Sequence, residues 1–136
     1  HEHHHEHEHE EGEAEEYGIG TYVYMARRPF DLSLFDNFVA KQWPKSIIRA
    51  KGLCYFINET HICYLFEQAG KQVSMQNVGP WFATMPEDEL QQMMETDPVL
   101  RRDWDPVYGD RMQKIVFIGQ HLEKDEIKKM LDACLI

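Results

Sequence analysis

The chain changes character abruptly at Tyr17, and that break decides which residues can build a fold. His1 to Glu16 reads HEHHHEHEHEEGEAEE and holds no apolar side chain larger than alanine. Such a segment cannot bury enough surface to offset the entropy of ordering its backbone, so residues 1–16 are expected to be a disordered linker without metal. Any core must come from residues 17–136, which are expected to form one domain. The formal charge divides at the same point. Of the −10 carried by the chain, the leader's eight glutamates, with no Lys or Arg beside them, account for −8. The rest is nearly balanced and offers no basic field for nucleic acid phosphates.

Three cysteines, Cys54, Cys63 and Cys134, occur without a CxxC pair. An odd, sparse count argues against a disulfide framework and favours a reducing cytoplasm. No apolar run reaches membrane-spanning length, so no membrane partner is expected. The first residue is His1 rather than Met, so the chain is expected to be part of a longer protein whose other half holds the chemistry.

From Tyr17 onward the periodicities alternate. Gly20 to Arg28 is β-rich and ends at Pro29. Asp31 is placed to cap a helix with Leu34, Phe35, Phe38 and Val39 on its apolar face, closed by Trp43-Pro44. Ser46 to Ile57 reads as a long strand with Gly52 as a bulge, followed by strands over Ile62 to Phe66 and Gln72 to Val78. Thr84 and Glu87 have capping-box spacing before a helix bearing Leu90, Met93 and Met94. Asp97-Pro98 starts a further short helix. Ile115 to Ile118 (IVFI) is apolar on both faces, as expected of a central strand. The last helix starts near Glu123 and buries Ile127, Met130, Leu131, Cys134 and Leu135, its acids leading and its lysines following, as the helix dipole favours. The expected fold class is α+β, in the order β-α-β-β-β-α-β-α, with a largely antiparallel sheet and helices packed on it.

The leader carries the strongest chemical signal. Six histidines, His1, His3, His4, His5, His7 and His9, fall within nine residues. Neutral imidazole suits zinc, cobalt, nickel and copper, and a flexible chain can gather two to four rings around one ion in several registers. The interleaved glutamates add oxygen ligands and concentrate cations. Imidazole titrates near ~6.5, so binding should weaken as the pH falls through about 6. The alternation is irregular, lacks a visible protease site and runs into further acids, which favours a natural linker over a purification tag.

No GxxxxGK[ST] loop, GxSxG, HExxH or zinc-finger spacing occurs, and no catalytic residue is expected in this chain. With Glu59-Thr60 at a hairpin tip, Phe56 faces Cys63. Cys54 then lies diagonal to Cys63 on one face, about 7–8 Å away. A metal site with His61 is the sharp reading, and two packing cysteines the preferred one. Cys134 is expected in the core, and His121 at a strand end as a cap or surface group. Arg27, Arg28, Arg49 and Lys51 form either a basic patch on adjacent strands or a solvated face. Arg101 to Arg111 is either a docking surface or, slightly preferred, a loop held by ion pairs.

Six segments together resemble the C-terminal domain of CobW-type proteins. They are IIRAKG (Ile47–Gly52) after Trp43-Pro44, FEQAGKQ (Phe66–Gln72), VGPW (Val78–Trp81), RRDWDPVYGDR (Arg101–Arg111), IVFIGQHL (Ile115–Leu122) and LDACL (Leu131–Leu135). CobW-type proteins are P-loop GTPases regarded as metal chaperones or insertases, including zinc-linked and cobalamin-linked members. Their GTPase domain precedes this domain, often through a His-rich stretch, and the leader stands where that linker would be. The nucleotide-binding loop and the Cys-x-Cys-Cys motif belong to the GTPase half, and no residue here matches either. The resemblance therefore implies a non-enzymatic accessory domain that meets GTP only through an N-terminal domain outside this chain. Its implied partners are that GTPase domain and a client metalloprotein. The alternative is a metal-independent interaction module with a tag or passive linker as leader.

Overall fold

The computed structural model describes residues 17–136. Five strands form one sheet: β1 (Ile19–Ala26), β2 (Ile47–Cys54), β3 (Ile62–Ala69), β4 (Gln72–Pro80) and β5 (Gln113–Gln120). They lie in the order β1-β5-β2-β3-β4, and every neighbouring pair is antiparallel. The helices are α1 (Leu32–Lys41), α2 (Glu87–Thr96), α3 (Pro98–Arg102) and α4 (Lys124–Asp132). The α+β class follows, and the IVFI run is in the central region of the sheet as expected. β1 and β2 both run antiparallel to β5, hence parallel to each other, with α1 as their crossover.

The core fills one face of this sheet. The Asp31 carboxylate accepts the Leu34 N–H at 3.0 Å and starts α1. Phe35 and Phe38 then fall inward at helical spacing. Leu34, expected with them, is exposed, because the buried stripe is narrower than the apolar run. Phe30 stacks on Phe35 at 4.9 Å, and Phe35 meets Phe66 edge-on at 5.3 Å. From α4 come Ile127 and Leu131, both buried. Cys134 is also buried but lies beyond the helix end. From the sheet come Tyr24, Ala50, Cys54, Ile115 and Phe117. Along β5, buried Gln113, Ile115, Phe117 and Gly119 alternate with exposed Lys114, Ile118 and Gln120. The central strand is thus covered on one side only, although its sequence is apolar on both.

Gly52 is not a bulge. It pairs with Ile115, and a Cβ on it would meet the Lys114 carbonyl oxygen at 2.0 Å. The residue lets two backbones approach, and the register shift lies between Ile47 and Arg49 instead. β2 also ends earlier than expected, at Cys54. Beyond it, buried Gln113 holds the chain by its side-chain amide. Its oxygen accepts the Tyr55 N–H at 3.1 Å, and its nitrogen donates to the Tyr55 and Arg28 carbonyls at 2.9 and 3.1 Å. The Thr84 capping box does not form. The Thr84 hydroxyl donates to the Trp81 carbonyl at 2.8 Å, and α2 begins after Pro86 with no side-chain cap. The short helix does form, with Asp97 accepting the Val99 and Leu100 N–H groups.

Candidate functional site

The six leader histidines, His1, His3, His4, His5, His7 and His9, lie outside the described residues. Among the described residues, no group of three or more His, Cys, Asp or Glu side chains is arranged to hold a metal ion. The expected pairing of Cys54 with Cys63 is corrected by the strand register. Cys54 faces Tyr64 and Leu53 faces Leu65, so Cys54 and Cys63 point to opposite faces of the sheet. The slip arises because Tyr55 and Phe56 leave the ladder before the turn. A one-residue change in register moves a side chain to the other face. Cys54 sits in the main core, its thiol 3.7 Å from the Met75 sulfur. Burial pushes that thiol well above its ordinary range. Cys63 packs with Leu53, Tyr55 and Trp81 in a second cluster, and burial pushes it up to about 11. Both are packing cysteines, and His61 is exposed.

The basic patch is also rearranged. β5 separates β1 from β2, so Arg27 and Arg28 do not join Arg49 and Lys51. Arg27 instead donates to the carbonyls of Asp103, Gly109 and Arg111 at 2.7, 2.9 and 3.3 Å. The Asp110 carboxylate accepts the Phe82 and Ala83 N–H groups at 2.9 and 2.8 Å, and Asp105 accepts those of Val107 and Tyr108. These last two bonds hold the Asp105 carboxyl below its ordinary range. The Arg101–Arg111 segment is therefore a loop held by charged side chains on backbone groups. Its Arg102–Asp103 ion pair is solvent-exposed. Gly109 at φ 66° is required there, since a Cβ would strike Ala83 and Trp104.

What remains to solvent is the second face of the sheet away from the Leu53, Tyr55, Cys63 and Trp81 cluster. By register it carries Ile19, Thr21, Val23 and Met25 from β1, with Lys114, Val116 and Ile118 from β5. Beside them stand Arg49 and Lys51 from β2, Glu67 from β3 and Ser74 from β4. Val23 is 46% exposed, Met25 60% and Ile118 37%. A depression of 350 Å³ lies between Arg49, Lys51, Val116 and Ile118. It adjoins a groove of 520 Å³ that runs over Arg49, Lys51, Glu67, Lys71, Gln72 and Ser74. Lys51 meets Glu67 at 3.5 Å across it. Contiguous apolar surface rimmed by charge marks a place where something binds. Nothing in the alternation of β1 or β5 says which side is covered, so sequence reasoning missed this face. The helix α2 has no fully buried residue, and its apolar Leu90, Met93 and Met94 are half-buried.

Fold and surface together define a small α+β domain with its main core under α1 and α4 on one sheet face and much of the other face open. The chain belongs to the CobW family's C-terminal domains: the pattern described as "Cobalamin synthesis protein cobW C-terminal domain" matches residues 19–135. It is 29% identical over 124 residues to the "Zinc-regulated GTPase metalloprotein activator 1" of Dictyostelium discoideum, covering 89% of this chain and 26% of that protein. The chain thus spans about a quarter of this curated relative. Its fold matches the Zn(II)-bound YjiA GTPase from E. coli with a TM-score of 0.57 at 19% identity, over 88% of this chain and 30% of that one. A Zn(II)-bound triple mutant of the YjiA GTPase matches with a TM-score of 0.56 at 18% identity, over the same shares.

Proposed function

We propose that this chain is the accessory C-terminal part of a GTP-dependent metal chaperone. In this reading residues 1–16 are a linker whose His1, His3, His4, His5, His7 and His9 capture zinc, cobalt or a similar divalent ion. The domain over residues 17–136 supports a preceding GTPase domain and presents a surface to a client metalloprotein. The observation that carries the reading is a run of six histidines in nine residues joined directly to a domain of this family. The name of its Dictyostelium relative, a zinc-regulated GTPase and metalloprotein activator, supports zinc as the cargo. GTP binding and hydrolysis would reside in the GTPase domain, and the chain alone is expected to do neither. No described helix is long and apolar enough to cross a membrane. Together with three free, buried cysteines this supports a cytoplasmic setting.

The test is a calorimetric zinc titration near neutral pH of the whole chain beside a version starting at Tyr17. Zinc heat that disappears on truncation supports the leader as the metal site. One tightly bound ion on the shortened chain refutes it.

A further inference from the structure

β4 ends the sheet, and its outer edge is unprotected. Sheet edges are commonly blunted by a charge, a proline or a bulge. Gln72 to Asn77 holds no charged residue and no proline, and the register shift of β4 on β3 comes only after Asn77. Every residue from Gln72 to Asn77 is exposed. The opposite edge differs, because α4 overhangs β1: the Tyr24 hydroxyl donates to Asp132, which also pairs with Lys128. The helical layer stops short of β4. On the core side Val73 is 49% and Met75 38% exposed, and Met75 shares a pocket of 240 Å³ with Leu32, Phe56 and Tyr64.

This edge is complementary to itself. Gly70 and Lys71 form a two-residue turn closed by Ala69 and Gln72. The closing bond directs the N–H and C=O groups of Gln72, Ser74 and Gln76 to β3, so those of Val73, Met75 and Asn77 point outward. A two-fold axis at Ser74 sets Val73 against Met75 of a second copy, and Met75 against its Val73. Each of these two pairs can exchange both of its hydrogen bonds. On one face apolar Val73 and Met75 then meet each other. On the other face Gln72 meets Gln76 and Ser74 meets Ser74, all uncharged. Like charges stay apart. The two Lys71 residues stand six strand positions apart, about 20 Å, and the two Glu67 backbones three strand spacings, about 14 Å. Both distances exceed the Debye length of about 10 Å at 0.1 M salt.

We propose that β4 pairs antiparallel with β4 of a second copy of this chain about that axis, joining two five-stranded sheets into one of ten. The interface is isologous, with Val73 of each copy beside Met75 of the other at the mouth of its pocket. Strand pairing over so short a stretch buries less than the roughly 800 Å² per partner of a standard interface, so the dimer is weak and forms in the micromolar range. Pairing at β4 leaves Val23, Met25, Val116 and Ile118 of β1 and β5 uncovered, at the far ends of the joined sheet.

Sedimentation of the full chain in the presence of a chelator tests this, since no metal ion can then bridge two copies. The expected result is a mean mass that rises toward twice the monomer's across the micromolar range, and that stays at the monomer's in Val73→Pro. Proline there removes an outward N–H and none directed to β3, which an edge strand tolerates. Two cysteine variants read the register directly and do not depend on how Val73→Pro folds. Ser74→Cys faces its own counterpart across the axis, with Cα atoms about 4.5 Å apart, within disulfide reach. Gln76→Cys faces Gln72, and its counterpart lies about 14 Å away. Under mild oxidation Ser74→Cys should form the linked dimer about tenfold faster or more than Gln76→Cys. Cys54, Cys63 and Cys134 are buried and do not compete in the folded protein. A monomer at every concentration overturns the proposal and leaves the edge to an extended segment of another protein. A dimer that persists in Val73→Pro, or equal linking of the two cysteine variants, overturns pairing through β4 in this register.

Discussion

Replacing Gln113 by Met should lower stability by about 3 kcal/mol, although Met fills nearly the same volume. The three hydrogen bonds of the amide are unequal. The Tyr55 N–H has Gln113 Oε1 as its partner and lies in a residue that is 1% exposed. Leaving it orphaned costs about 1–3 kcal/mol. The Tyr55 carbonyl loses one bond but keeps the Phe30 N–H at 3.1 Å, a loss of about 1 kcal/mol. The Arg28 carbonyl belongs to an exposed residue, and water replaces its lost partner at little cost. Urea unfolding followed by tryptophan fluorescence should show the midpoint falling at unchanged m-value, with Tm lower by about 10 °C. Gln113→Glu should be worse at neutral pH, because a buried carboxylate would face two carbonyl oxygens. It should recover partly in acid, where its protonated form can donate to one of them. A loss below about 1 kcal/mol for Gln113→Met would refute the assignment of this amide as the clasp between the Tyr55 segment and the sheet.

Gly52→Ala should destabilise by about 3 kcal/mol or more, since its methyl group meets backbone atoms of β5 that cannot step aside; thermal unfolding that moves by only a degree or two would contradict the close approach. Cys54 and Cys63 should resist alkylation in the native protein at neutral pH and react on unfolding, because burial raises both thiols. Mass spectrometry of iodoacetamide-treated protein reads this directly. Burial opposes ionisation of Asp132, yet Lys128 and the Tyr24 hydroxyl, at 2.5 and 2.8 Å, hold its carboxyl below the ordinary range. A depressed folded value means that its contribution is complete above about pH 4, the unfolded carboxylate value. It is then lost as the pH falls through the folded value. Asp132→Asn should therefore flatten the stability profile below about pH 4; an unchanged acid limb would show that the pair contributes nothing there.

The elements that sequence reasoning placed well are those with a strong period or a strong stop. Phe35 and Phe38 after a capping Asp31, the apolar run of β5, and Ile127 with Leu131 each point to one element type. Register was harder. The pairing of Cys54 depends on where β2 leaves the ladder, and that is set by Gln113, which is distant in sequence. Thr84 and Glu87 have the spacing of a cap, but Pro86 intervenes and the Trp81 carbonyl takes the hydroxyl. The leader's chemistry was legible because ligand type needs no geometry. The open face was not, because Tyr22 and Tyr24 on one side of β1 are as apolar as Val23 and Met25 on the other. Which side is covered depends on where α1 and α4 come to rest.

The position of β5 in the sheet also orders the birth of the domain. β1 is the first strand made, yet its neighbour in the sheet is Gln113–Gln120, nearly a hundred residues later. Until that segment is synthesised, β2, β3 and β4 can pair with one another, but β1 has no strand beside it. The last strand enters between two that are already present and closes the longest-range strand pairing of the sheet. Folding should therefore be slow for a domain of this size and concentrated in one late step. A nascent chain that stalls before β5 shows an unpaired β1 and the open edge of β2 to its surroundings, with the aggregation hazard that exposed edges carry.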